Sequence, residues 1–220
     1  MKQKTVFLKS EGDSYFARNH DAISDRDMSN DKVVQAILGI NYDFPFEGKA
    51  GEGEGQILEI GCGEGKRLEW LQANINCQCF GIEPSAQAVK KANEKGITAT
   101  VGTADQLHYE KNVFDIIIFG FCLYLCDRDD LFNIAKEADR VLKPGAWIII
   151  YDFFAKTPSN NKYKHKAGIS SYKMDYRTLF TWHPDYTCFQ HSVSHHGVDK
   201  FTDDTQEWTG LSVLRKRSFR

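Results

Sequence analysis

The sequence predicts an α/β fold: a doubly wound, mostly parallel sheet with helices on both faces, closed by an antiparallel pair of strands. Three observations predict it. Short apolar, β-branched runs alternate with helical runs between residues 56 and 151, the pattern of βαβ units. A glycine-rich turn, GCGEG at 61–65, joins the first of these strands to the first of these helices. After residue 152 the alternation stops, and two strand-like runs follow with no helix between them. Two such strands joined by a short polar stretch pair most simply antiparallel.

The elements follow in order. Residues 1–55 read as an N-terminal lid and linker belonging to the same domain. Asp31 can cap a helix carrying Val33, Val34, Ile37 and Leu38 at helical spacing. Residues 41–55, NYDFPFEGKAGEGEG, are linker text rich in Gly and Glu. Gln56–Ile60 is a strand, Gly65–Ala73 a helix with Leu68 and Leu71 on one face, and Cys77–Ile82 a second strand. Ser85–Lys95 is a helix stopped by Gly96, and Ile97–Val101 is a third strand. Phe114–Phe119 (FDIIIF) reads as a buried central strand and Asp129–Leu142 as a helix. Pro144 and Gly145 make a turn before a fifth strand, Trp147–Tyr151. Within 56–220, residues 156–190 form an insertion, and Tyr186–His195 and Trp208–Arg217 are the closing pair of strands.

Composition narrows the function classes. The 220 residues carry 28 basic and 30 acidic side chains, a balance that supplies no whole-protein field for a nucleic-acid backbone. The longest apolar run, around Phe114–Leu125, is broken by Asp115 and Gly120 and falls short of the roughly 20 residues that cross a bilayer. The N-terminus has no signal-peptide apolar core. The six cysteines form no CxxC pair and read as small buried hydrophobes. A cytoplasmic protein with no metal, no membrane and no nucleic-acid partner is expected. The charge is unevenly divided. Residues 1–161 hold 18 basic and 24 acidic side chains, and residues 162–220 hold 10 and 6, together with five of the seven histidines.

The chemistry concentrates in Ile57–Leu71, ILEIGCGEGKRLEWL. Gly61, Gly63 and Gly65 follow a strand and open a helix, so the backbone can turn tightly and let a ligand approach beyond the strand's carboxyl end. Glu83, about 20 residues on at the end of the second strand, can accept both hydroxyls of a ribose. The G-x-G-x-G spacing differs from the dinucleotide pattern, and Glu59, two residues before the first glycine, would repel a pyrophosphate and attract a cation. A ligand with a ribose and positive charge but no phosphate is implied. S-adenosylmethionine fits that description.

At these residues the chain resembles the class I S-adenosylmethionine-dependent methyltransferases, of bacterial small-molecule type. ILEIGCGEGKRLEWL, GIEPSAQAV, VGTADQLHY, FDIIIFGFCLYL and RVLKPGAWIIIYDF occur in the family's order over about residues 56–154. The resemblance implies a Rossmann-like, seven-stranded sheet ending in an antiparallel hairpin. It also implies site residues. Gly61, Cys62 and Gly63 lie beside the methionine and ribose of the cofactor, and Glu59 orients the loop and the ammonium end. Glu83 binds the ribose, with Pro84 on the adenine. Thr103, Ala104 and Asp105 edge the adenine, with Thr103 standing where the family often has Asp. Gly120 and Phe121 flank the methionine and the transferred methyl. EGDSYFARN resembles a lid in which Tyr15, Arg18 and Asn19 close over the cofactor, Arg18 toward its carboxylate.

The implied function is methyl transfer to a small-molecule acceptor by in-line displacement, mainly through proximity and alignment, with S-adenosylhomocysteine as product. The alternatives are an RNA or protein methyltransferase and a non-catalytic S-adenosylmethionine-binding protein. The text after the fourth strand, FGFC, lacks the Asn/Asp-Pro-Pro-aromatic signature of nucleobase amino methylation. The motifs name no catalytic base. Tyr124 and His183 are the candidates, and Asp152 ends the fifth strand near the same crevice. The aromatic-rich stretch 163–189 is the expected acceptor side, and the basic excess of 162–220 suggests an acidic acceptor.

Overall fold

The computed structural model describes residues 2–24, 27–40, 54–197 and 202–218, with only the backbone of 20–24. Most of the 41–55 linker lies outside these residues. The polypeptide begins with two helices, α1 (Gln3–Val6) and α2 (Gly12–Ser24), joined by a π-helical turn at Phe7–Glu11. Helix α3 (Lys32–Gly39) starts where expected. Asp31 accepts hydrogen bonds from the Val33 and Val34 N–H groups at 3.0 and 3.1 Å, a side-chain N-cap.

The α/β series then runs β1 (Gly55–Ile60), α4 (Lys66–Asn74), β2 (Cys77–Glu83), α5 (Ala86–Glu94), β3 (Thr98–Val101), β4 (Phe114–Gly120), α6 (Leu131–Val141) and β5 (Leu142–Phe153). The turn expected at Pro144-Gly145 is absorbed into β5. Gly145 takes φ +77°, and the strand runs through it. A two-stranded antiparallel ribbon follows, β6 (Ser159–Lys162) with β7 (Ser170–Lys173), which the polar sequence of this stretch does not announce. A single helical turn, α7 (Thr178–Thr181), precedes β8 (Tyr186–His195) and β9 (Trp208–Lys216).

The main sheet has seven strands in the order β3-β2-β1-β4-β5-β9-β8. β3 to β5 are parallel, and β9 pairs antiparallel with both β5 and β8, the predicted doubly wound sheet with its closing hairpin. Helices cover both faces over two apolar clusters. Phe114, Ile117, Phe119 and Ile148 pack on one face with α6 and α7, and Ile57, Ile116, Ile118 and Ile149 on the other with α3 and α4. The strand reversal lies between β1 and β4, so the carboxyl ends of β3, β2, β1, β4 and β5 line up along one edge of the sheet. In open α/β sheets that edge holds the ligand crevice.

Candidate cofactor site

The loop after β1 owes its shape to glycine. Gly61, Gly63 and Gly65 have φ of +77°, +54° and +73°, values that cost an L side chain about 1 kcal/mol or more. At Gly61 space is also lacking, because an added Cβ would lie 2.6 Å from the Cys122 Cβ. At Gly63 no atom lies within 4 Å of an added Cβ, so that face of the loop opens into a cavity. Glu83 ties the loop to β2, accepting the Gly63 N–H at 3.1 Å and the Ser85 N–H at 2.9 Å. Burial pushes its carboxyl up to about 7, against the pull of those two N–H groups.

The cavity, about 250 Å³, runs along the strand ends from Gly102–Asp105 after β3 to Gly120–Cys122 after β4. Of the residues implied by the resemblance, Glu59, Gly61, Cys62, Gly63, Glu83, Pro84, Thr103, Ala104, Asp105, Gly120 and Phe121 line it, and Tyr15 and Asn19 line it from above. Arg18 does not. Its guanidinium pairs with Glu11 at 2.6 Å and donates to the Tyr163 hydroxyl at 3.0 Å, which fastens α2 to the insertion.

Glu59 is 2% exposed. Its Oε1 pairs with Arg67 of α4, whose Nε and Nη2 clasp Asp31 at 2.9 and 3.0 Å. This Asp31–Arg67–Glu59 triad was not legible in the sequence, where Asp31 reads only as a helix cap. Gly120 leaves room for it. A Cβ there would lie 2.7 Å from Arg67 Nη1 and 2.8 Å from Glu59 Oε1. Burial raises the Glu59 carboxyl, and the guanidinium opposes that rise. Glu59 lines the cavity, and its Oε2 is buried with no hydrogen-bond partner among the described residues, an acceptor suited to a cation.

The N-terminal helices form the roof. Asp127 accepts the Gln3 and Lys4 N–H groups at 2.9 and 3.0 Å. The Gln3 amide donates to the Leu125 and Ser170 carbonyls and accepts the Ser170 N–H at 2.6 Å. Asp13 accepts from the Ser85 hydroxyl at 2.6 Å and the Gln87 N–H at 3.1 Å. Lys4, Phe7, Gly12, Tyr15 and Phe16 thereby face the cavity. Of these, only Tyr15 stands out in the sequence.

Beyond Phe121 the character changes to aromatic. Phe121 itself has φ +52°, and its ring meets Tyr151, Phe153 and His196 at centroid distances of 4.8, 5.4 and 5.5 Å. The Lys173 ammonium lies 4.2 Å from the Phe153 ring centre. Asp152, 1% exposed, accepts the Leu123 N–H at 2.8 Å and the Phe153 N–H at 2.7 Å, and so shapes the turn after β4. Burial pushes its carboxyl up to about 7. Tyr124 sits in that turn, with its hydroxyl 3.3 Å from that of Tyr15. His183 belongs elsewhere. It follows α7, its Nδ1 accepts the Asp185 N–H at 3.2 Å, and it is absent from the cavity wall.

A model of the family described as "Methyltransferase domain" matches residues 58–150. The ubiquinone/menaquinone biosynthesis C-methyltransferase UbiE of Desulfotalea psychrophila is 28% identical over 158 residues, covering 69% of this chain and 63% of that protein. The probable methyltransferase PMT4 of Arabidopsis thaliana is 30% identical over 138 residues, covering 61% of this chain and 22% of that protein. Over this stretch the chain is similar to S-adenosylmethionine-dependent methyltransferases. It spans less than two thirds of the length of either of these relatives. The same fold occurs in the Haloferax volcanii methyltransferase solved with the Trm112 activator, with a TM-score of 0.66, 18% identity and coverage of 97% of this chain and 98% of that one. Among the described residues, no helix is long and apolar enough to cross a membrane.

Proposed function

We propose that the chain transfers a methyl group from S-adenosylmethionine to a small-molecule acceptor in the cytoplasm. The observation that carries the cofactor is the pairing of two acids in one glycine-walled cavity. Glu83 ends β2 beside the open face of Gly63, and Glu59 keeps a buried oxygen without a partner among the described residues. These residues fit a ligand with ribose hydroxyls and an ammonium group. Glu83 would take the ribose hydroxyls, Glu59 Oε2 the ammonium, and Pro84 the adenine face. Thr103, Ala104 and Asp105 would border the adenine edge, and Gly120 and Phe121 the sulfonium end. Bound there, the cofactor supplies an activated methyl group on sulfur, so the protein's own task is alignment and exclusion of water. The roof helices exclude water, and Asp152 holds the turn that carries Tyr124 beside Tyr15.

The acceptor side is assigned to the aromatic group around Phe121 and Phe153, within reach of the 156–190 insertion. A small aromatic or quinone-like acceptor suits those rings, and the relative from D. psychrophila is named for ubiquinone/menaquinone biosynthesis. The basic excess of residues 162–220 supports an acidic acceptor only weakly, because much of it is used internally. Lys216 pairs with Asp139, Arg177 with Asp175, and Arg215 stacks on Trp147.

Titration calorimetry with S-adenosylhomocysteine tests the cofactor assignment. Glu83→Ala should weaken binding by about tenfold or more, the loss of charge-assisted hydrogen bonds. Unchanged affinity would remove Glu83 from the site. Release of S-adenosylhomocysteine across a panel of phenols, quinols and carboxylic acids, set against total RNA, tests the acceptor class.

A further inference from the structure

Two acid-free stretches of the sequence meet on the outer side of the roof. Residues 1–10 hold Lys2, Lys4 and Lys9 and no acid, and residues 153–174 hold five lysines and no acid. Gln3 joins the two stretches, accepting the Ser170 N–H at 2.6 Å and donating to the Ser170 carbonyl at 3.1 Å. The Phe7 ring joins them again, its centre 6.3 Å from that of Tyr163. Leu8 and Lys9 follow Phe7, while Lys162 and Lys164 flank Tyr163 at the tip of the β6–β7 ribbon, with Lys166 in the same turn. Lys9, Lys162, Lys164 and Lys166 are exposed and have no ion-pair partner among the described residues. The other lysines of the two stretches near the roof are engaged. Lys2 pairs with Asp130, Lys4 with Asp105, and Lys173 turns inward to the Gln206 carbonyl and the Phe153 ring. Nearby acids are engaged as well, Glu11 buried against Arg18 and Asp127 accepting from the first turn of α1.

We propose that this surface docks the protein on an anionic lipid bilayer, with the four free lysines against acidic headgroups and Leu8 entering the boundary below them. Each lysine near such a surface adds a factor of about five to the partition, so four together supply about several hundredfold. Leu8 decides between lipid and nucleic acid. It is 44% exposed amid the cations, and an apolar side chain gains by leaving water at headgroup level but gains nothing from a phosphate backbone. Single-stranded nucleic acid is gripped by stacking its bases on aromatic faces, whereas the tyrosine of this patch, Tyr163, is packed against Phe7 and His165. The near-neutral total charge, from which no membrane partner is expected, averages the patch away. Phe7 lines the cavity from within while Leu8 and Lys9 are exposed, so the docking surface is the outside of the cavity's own roof. The inference does not rest on the cofactor assignment.

Co-sedimentation with two kinds of vesicle provides the test, phosphatidylcholine alone and phosphatidylcholine with about one third phosphatidylglycerol. Wild-type protein should bind the mixed vesicles at least about thirtyfold more tightly at low salt, and lose most of that binding at about 0.5 M salt. The triple substitution Lys162→Gln, Lys164→Gln and Lys166→Gln should lower the partition at least about thirtyfold, and Leu8→Ser at least about threefold. The control is Lys90→Gln, Lys111→Gln and Lys136→Gln, which removes three exposed lysines elsewhere and should change the partition by less than about threefold. Equal losses in the two triple variants would overturn the proposal, since net charge alone would then drive binding. Absence of wild-type binding to the mixed vesicles, or tighter binding to total RNA at the same salt, would also overturn it. A footprint on wild-type protein needs no variant. Mixed vesicles should slow acetylation of Lys9, Lys162, Lys164 and Lys166 at least about threefold relative to Lys90 and Lys136, and uniform rates would overturn the proposal. Failure of wild-type protein to bind S-adenosylhomocysteine would defeat the cofactor assignment and leave the docking surface standing.

Discussion

The two ends of the crevice are built from different materials. At the β1–β3 end the backbone defines the site. Positive-φ glycines, N–H groups clasped by Glu83 and a carboxylate held by Arg67 leave little freedom for substitution. At the β4–β5 end side chains define it, with Phe121, Tyr151, Phe153 and His196 packed edge to face and Lys173 against one ring. Backbone geometry suits a ligand that never changes, while interlocking rings can be exchanged for others of similar volume without disturbing the sheet. The crevice thus has one fixed end and one adjustable end.

Four substitutions would break or sharpen that contrast. The largest effect is expected at the rigid end. Arg67→Met leaves the buried Glu59 and the partly buried Asp31 without their counter-ion and should cost about 3–5 kcal/mol of unfolding free energy, measurable by urea denaturation; a cost under about 1 kcal/mol would show the triad to be dispensable. Gly61→Ala meets both the φ of +77° and the 2.6 Å approach to Cys122, and should cost about 2–3 kcal/mol in the same assay, with S-adenosylhomocysteine binding lost.

Asp152, at the adjustable end, gives a pH signature. Its carboxyl deprotonates near 4 in an unfolded chain and at about 7 when buried in the fold. Across that window folding takes up a proton, so stability is greatest on the acid side and falls as pH rises through 7. Asp152→Asn should flatten this fall in thermal unfolding midpoints between pH 5 and 8. An unchanged slope would mean that the carboxyl stays ionised. The smallest effect belongs to His183→Ala. This half-exposed side chain off the cavity wall should change stability by less than about 0.5 kcal/mol and leave cofactor affinity untouched, which calorimetry would check.

The contrast also explains what could be read from the amino-acid order. Strand–helix alternation and the 61–65 glycines are local patterns, so the sheet, its closing hairpin and the Glu83 end of the crevice were legible before the structure was known. Strand β8 begins and ends at the expected residues, Tyr186 and His195. Contacts between distant segments carry no such period. Nothing near Lys4 signals Asp105, 101 residues away, and nothing in KRLEWL signals that Arg67 reaches back 36 residues to Asp31. The β6–β7 ribbon was missed because SNNK and SSYK lack the apolar alternation that marks a strand with a buried face. At Pro144-Gly145 the local turn signal is real: β5 is extended from Leu142, but its register against β4 jumps from Leu142 to Trp147 and pairing with β9 begins at Trp147.

Asp31 closes α3 at its first turn and holds Arg67 with the same carboxylate. One side chain is thus shared between an N-terminal helix and the floor of the crevice. A version starting after α3 would leave the Arg67 guanidinium facing Glu59 alone and strip apolar cover from the β5 and β9 part of the sheet. Loss of α3 should therefore lower the thermal unfolding midpoint of the whole α/β sheet rather than of the N-terminal segment alone.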